Sequence, residues 1–116
     1  MTDKADTGKK GEAIAADYLE QKGFKIIARN YRYKHSEIDL IARNNNFVIF
    51  VEVKTRNSSA YGEPEAFVNS HKAAKILEGA EHYTFVNKWE GNIRFDIVSV
   101  KPGNPPEVVH FEDAFY

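Results

Sequence analysis

Two apolar segments on either side of Asn44-Asn45-Asn46 constrain the fold of this chain more than any other feature. The segments are Glu37–Arg43 and Phe47–Lys54. Because asparagine tolerates positive φ, the triplet predicts a tight turn and the two segments predict a β-hairpin. With a two- or four-residue loop, Asp39 lies directly opposite Glu52.

The alternation of side chains divides this hairpin into two unlike faces. One face is wholly apolar and comprises Ile38, Leu40, Ala42, Ile49, Val51 and Val53. The other is apolar near the turn and charged at the open end, where Glu37, Asp39, Glu52 and Lys54 lie. The charged end is the first candidate for a functional site.

Opposed carboxylates on a strand pair need a physical explanation, because like charges at that distance repel and burial adds a desolvation cost. A divalent cation such as Mg²⁺ would resolve the conflict between Asp39 and Glu52, since hard cations prefer carboxylate and carbonyl oxygens. The alternative is an exposed sheet face that carries ordinary ion pairs.

The remaining elements surround the hairpin. Periodicity and capping signals predict helices over Thr7–Lys22 and Ser70–Val86, strands over Phe24–Arg32, Asn92–Val100 and Val108–Phe111, and a loop over Arg56–Glu65. The order αβββαββ predicts an α/β fold, with a mixed central sheet flanked by helices. We expect one domain over residues 1–116, with residues 1–7 as a flexible arm.

Composition excludes several classes of protein. The chain has no cysteine, so it has no disulfide and no thiolate zinc site, and its four histidines lack zinc-ligand spacing. We therefore expect neither zinc nor an organic cofactor. Apolar runs are far shorter than a membrane helix, and the N-terminus is polar, so we expect a cytoplasmic protein.

The near-neutral charge conceals an asymmetry. Residues 1–56 carry 11 basic and 8 acidic side chains (11 − 8 = +3), and residues 57–116 carry 5 and 9 (5 − 9 = −4). The half that contains the hairpin is therefore basic, which is compatible with nucleic-acid binding.

The hairpin strings Glu37-Ile38-Asp39-Leu40-Ile41 and Phe50-Val51-Glu52-Val53-Lys54-Thr55-Arg56 resemble the D…E-x-K core of the PD-(D/E)xK nuclease superfamily. The whole chain resembles the YraN-like branch, small bacterial proteins similar to archaeal Holliday junction resolvases. Further matches are Gly8-Lys9-Lys10-Gly11-Glu12, Tyr18-Leu19, Gly23-Phe24, Asn30-Tyr31-Arg32, Lys72 and Arg94-Phe95-Asp96. Ser36 departs from the family, which more often has glycine there.

The resemblance implies a restriction-endonuclease-like fold and a role for each matched residue. Asp39 and Glu52 would be metal ligands together with the backbone carbonyl of Val53, and Glu12 would add the helix carboxylate of the catalytic set. Lys54 would activate water and stabilise charge on the phosphate. The cation would be Mg²⁺ or Mn²⁺.

Two acids lie at the margin of this implied site. Glu37 is a further candidate ligand because it lies on the charged face. For Glu12 an equally good explanation is the preference for an acid near a helix N-terminus.

The implied activity is hydrolysis of phosphodiester bonds in DNA, with branched DNA favoured by similarity to the resolvases. A non-catalytic nucleic-acid-binding module that retains the nuclease fold is the first alternative, and a structural or partner-binding protein is the second. The resemblance also leaves a homodimer open.

Basic residues near the proposed site are candidates for contact with phosphates. They are Lys9, Lys10, Arg32, Lys34, Arg56 and Lys72. Lys9 and Lys10 oppose the dipole of the first helical turn, which suggests either an anion site or a solvated arm. Arg94 and Asp96 are expected to form a surface ion pair worth at most about 1 kcal/mol.

Overall fold

A computed structural model describes residues 4–56 and 69–115, which form seven elements in the predicted order. They are α1 (Lys4–Gln21), β1 (Lys25–Tyr33), β2 (Ser36–Asn44), β3 (Phe47–Thr55), α2 (Ser70–Val86), β4 (Asn92–Lys101) and β5 (Glu107–Phe111). The small α/β domain is thus confirmed. Helix α1 begins at Lys4, so the expected arm is helical from that residue onward. Most of the predicted loop after Arg56 lies outside the described residues.

The five strands form one mixed sheet in the order β1-β2-β3-β4-β5. Only β3 and β4 run parallel, and every other neighbouring pair is antiparallel. A parallel neighbour requires a long crossover connection, and α2 lies within it. This placement brings the N-terminal end of α2 to the end of the sheet where β3 finishes.

The two helices cover opposite faces of the sheet. Helix α1 packs on a cluster that includes Leu40, Ala42, Ile49, Val51, Val98 and Val100. Helix α2 packs on a cluster that includes Ile38, Ile41, Val48, Phe50 and Phe95. Burial of both faces explains why β3 is almost continuously apolar, as is usual for a central strand with a parallel neighbour. Within the described ranges, no helix is long and apolar enough to cross a membrane.

The predicted hairpin register is confirmed over the half next to the turn. Asn45 has a φ of 55°, and the paired positions run from Asn44 opposite Phe47 to Leu40 opposite Val51. Beyond Leu40 the backbone pairing of β2 with β3 stops, and there the carboxylate of Asp39 accepts a hydrogen bond from the Val53 N–H at 2.8 Å.

The break in the ladder overturns one face assignment. The prediction placed Ile38 with Leu40 and Ala42 on a single apolar face. Ile38 instead belongs to the cluster beneath α2, whereas Leu40 and Ala42 lie beneath α1. Simple alternation fails here because it holds only while the strand keeps a regular pleat.

The expected surface ion pair between Arg94 and Asp96 is in fact buried. Asp96 is 0% exposed and accepts two hydrogen bonds from Arg94, at 2.9 and 2.8 Å. His110 lies 2.7 Å from the same carboxylate, and the Asp113 N–H donates to it at 2.9 Å. Burial alone would raise the pKa of Asp96, but the hydrogen bonds from His110 and Arg94 outweigh it and lower that pKa. The C-terminal segment encloses the carboxylate, which the sequence pattern did not indicate.

Candidate metal and nucleic-acid site

A cleft of about 470 Å³ opens where β2 and β3 separate, beside the N-terminal end of α2. Glu37, Asp39 and Glu52 of the hairpin line it, facing Asn69 and Lys72. Asp39 and Glu52 therefore point into one space, as the predicted register requires. The apolar clusters on both sides of the sheet fix the strands that carry them.

The pKa of Asp39 is strongly raised in this cleft. Burial raises its pKa to about 9, together with the hydrogen bond to Glu52 and the charge of Glu52. The hydrogen bond from the Val53 N–H acts in the opposite direction but does not compensate. At neutral pH the side chain therefore retains a proton, because burial and the adjacent Glu52 disfavour a second negative charge.

Glu52 is buried more deeply and pairs with a lysine from the opposite helix. Its side chain is 5% exposed, and the Lys72 Nζ atom lies 2.5 Å from Oε2. That contact is an ion pair without hydrogen-bond geometry, so Oε2 has no hydrogen-bond donor in the part of the chain that the structure describes. Burial would lower the pKa of Lys72, but contact with Glu52 outweighs it and raises that pKa.

The position of Lys72 follows from the cap of α2. The side chain of Asn69 accepts a hydrogen bond from the Lys72 N–H at 2.9 Å, which fixes the first turn of the helix. The ammonium group of Lys72 then extends into the cleft. The sequence predicts phosphate binding by Lys72 but not its contact with Glu52, since residues twenty positions apart give no local signal.

Lys54 lies next to Lys72 at the end of β3. Burial lowers its pKa, and contact with Lys72 and the charges of Lys72 and Arg56 lower it further. The charge of Glu52 only partly offsets these effects. The structure thus brings Lys54, the predicted catalytic lysine, together with Arg56 and Lys72 of the predicted basic set.

Glu12 reaches the same acidic cluster from α1. A side chain at Gly11 would collide with the hydroxyl of Thr55, so the missing Cβ lets α1 approach the end of β3. Burial raises the pKa of Glu12, and the charges of Glu37 and Glu52 add to this effect. Glu12 also hydrogen-bonds with Asn30 and Asp39. It therefore faces the hairpin carboxylates, as the resemblance implies.

The other predicted basic residues are not joined to the floor of the cleft. Arg32 pairs with Glu37 at 2.9 Å on an exposed rim, and the Lys34 ammonium lies 5.3 Å from the centre of the Tyr33 ring. Lys9 and Lys10 are exposed on α1.

Ser36, the one departure from the expected motif, fits its position without backbone strain. The φ angle of Ser36 is not positive, and its side chain is buried against Gly79 of α2. A Cβ at Gly79 would lie 2.5 Å from the Ser36 hydroxyl oxygen. A small residue on α2 thus accommodates the larger residue on β2.

The carboxylates of the cleft fit a divalent cation that keeps part of its hydration shell. Within residues 4–56 and 69–115, no three His, Asp or Glu side chains form a ready-made metal cage. Two buried carboxylates with insufficient positive charge do fit Mg²⁺, which commonly uses one or two carboxylates and keeps several waters. The Asp39–Glu52 pair therefore suits a partly hydrated hard cation.

Comparison with known proteins shows the ancestry of the chain. The model of the uncharacterised protein family UPF0102 matches residues 11–100. A UPF0102 protein of Thermodesulfovibrio yellowstonii is 40% identical over 113 residues, covering 97% of this chain and 98% of that protein. A UPF0102 protein of Cytophaga hutchinsonii is 47% identical over 104 residues, covering 90% of both chains. The chain belongs to the UPF0102 family.

Proposed function

We propose that this chain is a Mg²⁺- or Mn²⁺-dependent DNA endonuclease with the PD-(D/E)xK nuclease fold. The observation that carries the proposal is the pair of buried carboxylates, Asp39 and Glu52, held side by side next to Lys54. Such a pair costs stability unless a cation is bound, so a role in cation binding explains it better than a structural role does.

Asp39 and Glu52 would hold the cation, with the Val53 carbonyl as a further oxygen ligand and Glu12 and Glu37 at the margin. When bound, the cation would offset charge on the phosphate and lower the pKa of water. The hydrogen bond from the Val53 N–H keeps one oxygen of Asp39 directed at β3. This contact orients the carboxylate before any ligand arrives.

Lys54 would act on the phosphate and on the attacking water. Its lowered pKa makes transfer of a proton easier than for an ordinary lysine, and in its charged form it stabilises negative charge on the phosphate. Lys72 would leave Glu52 when a cation arrives and contact phosphate instead, because its ammonium already lies in the cleft.

Several cations would bind the DNA backbone around the cleft. Arg56 lies next to Lys54 in the electrostatic network, and Arg32 and Lys34 flank the rim. Lys9 and Lys10 would extend the contact along α1. A branched DNA substrate, a homodimer and a cytoplasmic location belong to the proposal through the resemblance to junction resolvases.

One observation favours a second candidate, a nucleic-acid-binding module without catalysis. Lys72 already neutralises Glu52, and no third carboxylate completes a cage within the described residues. In such a module the lysine would replace the metal permanently.

The test is Mn²⁺-dependent cleavage of linear, flapped and four-way-junction DNA by wild type and by Glu52→Ala and Lys54→Ala. Lys75→Ala is the matched control, because Lys75 lines the same cleft without a proposed role. We expect cleavage to fall by at least about 100-fold in the first two variants and to persist in the control. Cleavage that survives both substitutions contradicts the proposal, and DNA binding without cleavage by wild type supports the second candidate.

A further inference from the structure

A second cavity, of about 300 Å³, lies at the opposite end of α2 from the acidic cleft. Ile27 and Val48 contribute apolar surface, and Tyr83 and Trp89 contribute aromatic surface. Asn87, which caps the helix, adds an amide group. The volume is at the lower end of the range for small-molecule sites, so the cavity suits one compact ligand.

Two cations, Lys25 and Arg43, also line this cavity. The Arg43 guanidinium lies over the Trp89 ring, 4.7 Å from its centre. Neither cation forms an ion pair with a carboxylate of residues 4–56 or 69–115. An exposed pair of cations without acidic partners beside an aromatic wall favours an anionic ligand that has a planar, apolar part.

The Trp89 ring is fixed in place, which makes it suitable as a wall of a binding site. Its indole N–H donates to the Asn92 carbonyl at 2.9 Å, and the ring packs against Gly91, where a Cβ would lie 2.4 Å from it if the ring did not shift. A ring fixed by these contacts loses little freedom when a ligand binds.

We propose that this cavity binds a single nucleotide, with Lys25 and Arg43 on the phosphate and the aromatic wall against the base. The nucleotide is either free in solution or part of a nucleic-acid strand, since the recognised chemistry is the same. The inference goes beyond the proposed cleavage and does not depend on it. The two sites share no lining residue: Asn69, Lys72 and Ile76 line the acidic cleft, whereas Tyr83 and Asn87 line this cavity.

Trp89 provides a direct assay because it is the only tryptophan of the chain. Its fluorescence is followed during titration with thymidine 5′-monophosphate, a short oligothymidylate, thymidine and inorganic phosphate. EDTA is present throughout, so cation-dependent binding at the acidic cleft does not contribute. We expect a saturable change in fluorescence with the monophosphate or the oligothymidylate. The change with thymidine or phosphate should be much weaker.

Charge variants then locate the binding. Arg43→Ala and Lys25→Ala are each expected to weaken the affinity by about tenfold, the usual effect of losing one charge-assisted contact. Lys25→Ala leaves the cation above Trp89 in place, so it checks that the fluorophore itself has not been altered. Lys101→Ala is the control, because it removes an equal charge from β4 in an exposed pair with Glu107.

Each outcome decides the inference. Saturation by the monophosphate supports a site for free nucleotides, and saturation by the oligothymidylate alone supports a strand as the source. Phosphate that binds as tightly as the monophosphate overturns the role of the aromatic wall. No saturable change, or equal loss of affinity in all three variants, overturns the site.

Discussion

The close approach of α1 to β3 at Gly11 gives a prediction that two glycines in one helix can test. Gly8 and Gly11 both lie in α1, and alanine in a helix interior is favoured over glycine by about 0.5–1 kcal/mol. A Cβ at Gly8 meets no atom within 4 Å, so Gly8→Ala should raise the free energy of unfolding by most of that amount. A Cβ at Gly11 collides with the side chain of Thr55, and overpacking of this kind costs about 1–3 kcal/mol.

The helix-propensity gain is common to both variants, so they should differ in free energy of unfolding by the overpacking cost of about 1–3 kcal/mol, with Gly11→Ala the less stable. Urea unfolding monitored by circular dichroism measures the difference. A second substitution, Thr55→Ala, removes the colliding atoms and should restore part of the loss in the double variant. If Gly11→Ala is as stable as Gly8→Ala, the helix does not approach β3 as described, and the placement of Glu12 beside Asp39 is wrong.

Three further predictions concern the charged groups. Because the pKa of Asp39 is raised from 3.8 to about 9, the unfolded state releases its proton first, and the free energy of unfolding should fall as pH rises between these values. Asp39→Asn should reduce that slope in metal-free urea titrations, and an unchanged slope would contradict the assignment. Asp96→Ala should cost about 3 kcal/mol or more because it leaves buried partners unpaired, whereas Lys101→Ala, in an exposed pair, should change stability by less than about 1 kcal/mol. Lys72→Ala should increase the thermal stabilisation by Mn²⁺ several-fold, since its ammonium occupies the space beside Glu52, and a smaller shift than in wild type would show that Lys72 does not compete with the cation.

Features that depend on neighbouring residues were predicted well from the sequence. The hairpin turn follows from the Asn triplet, and Asn45 indeed has positive φ. The bounds of α2, Ser70–Val86, also match, because Asn69 provides a strong cap and Asn87 ends the helix. The approach of Asp39 to Glu52 was also expected, because the turn fixes the register as far as Leu40 opposite Val51, the pair next to them.

Features that depend on distant contacts were not predictable in the same way. Ile38 and Leu40 lie on opposite sides of the sheet, Asp39 between them accepts the Val53 N–H, and alternation cannot show such a break. The burial of Asp96 depends on β5 and the C-terminal segment, which are more than ten residues away. The residue pattern of one strand contains no information on which distant segment packs over that strand.

The dipole of α2 connects the two proposed sites. Its positive end lies beside the acidic cleft, where it favours the carboxylates, and its negative end lies beside the cavity that contains Trp89. The acids are thus partly stabilised without a metal, so the domain should fold in EDTA, which the nucleotide titration requires. At the other end the dipole disfavours a phosphate, so its binding must depend on Lys25 and Arg43. Replacing both residues should therefore abolish binding there rather than merely weaken it.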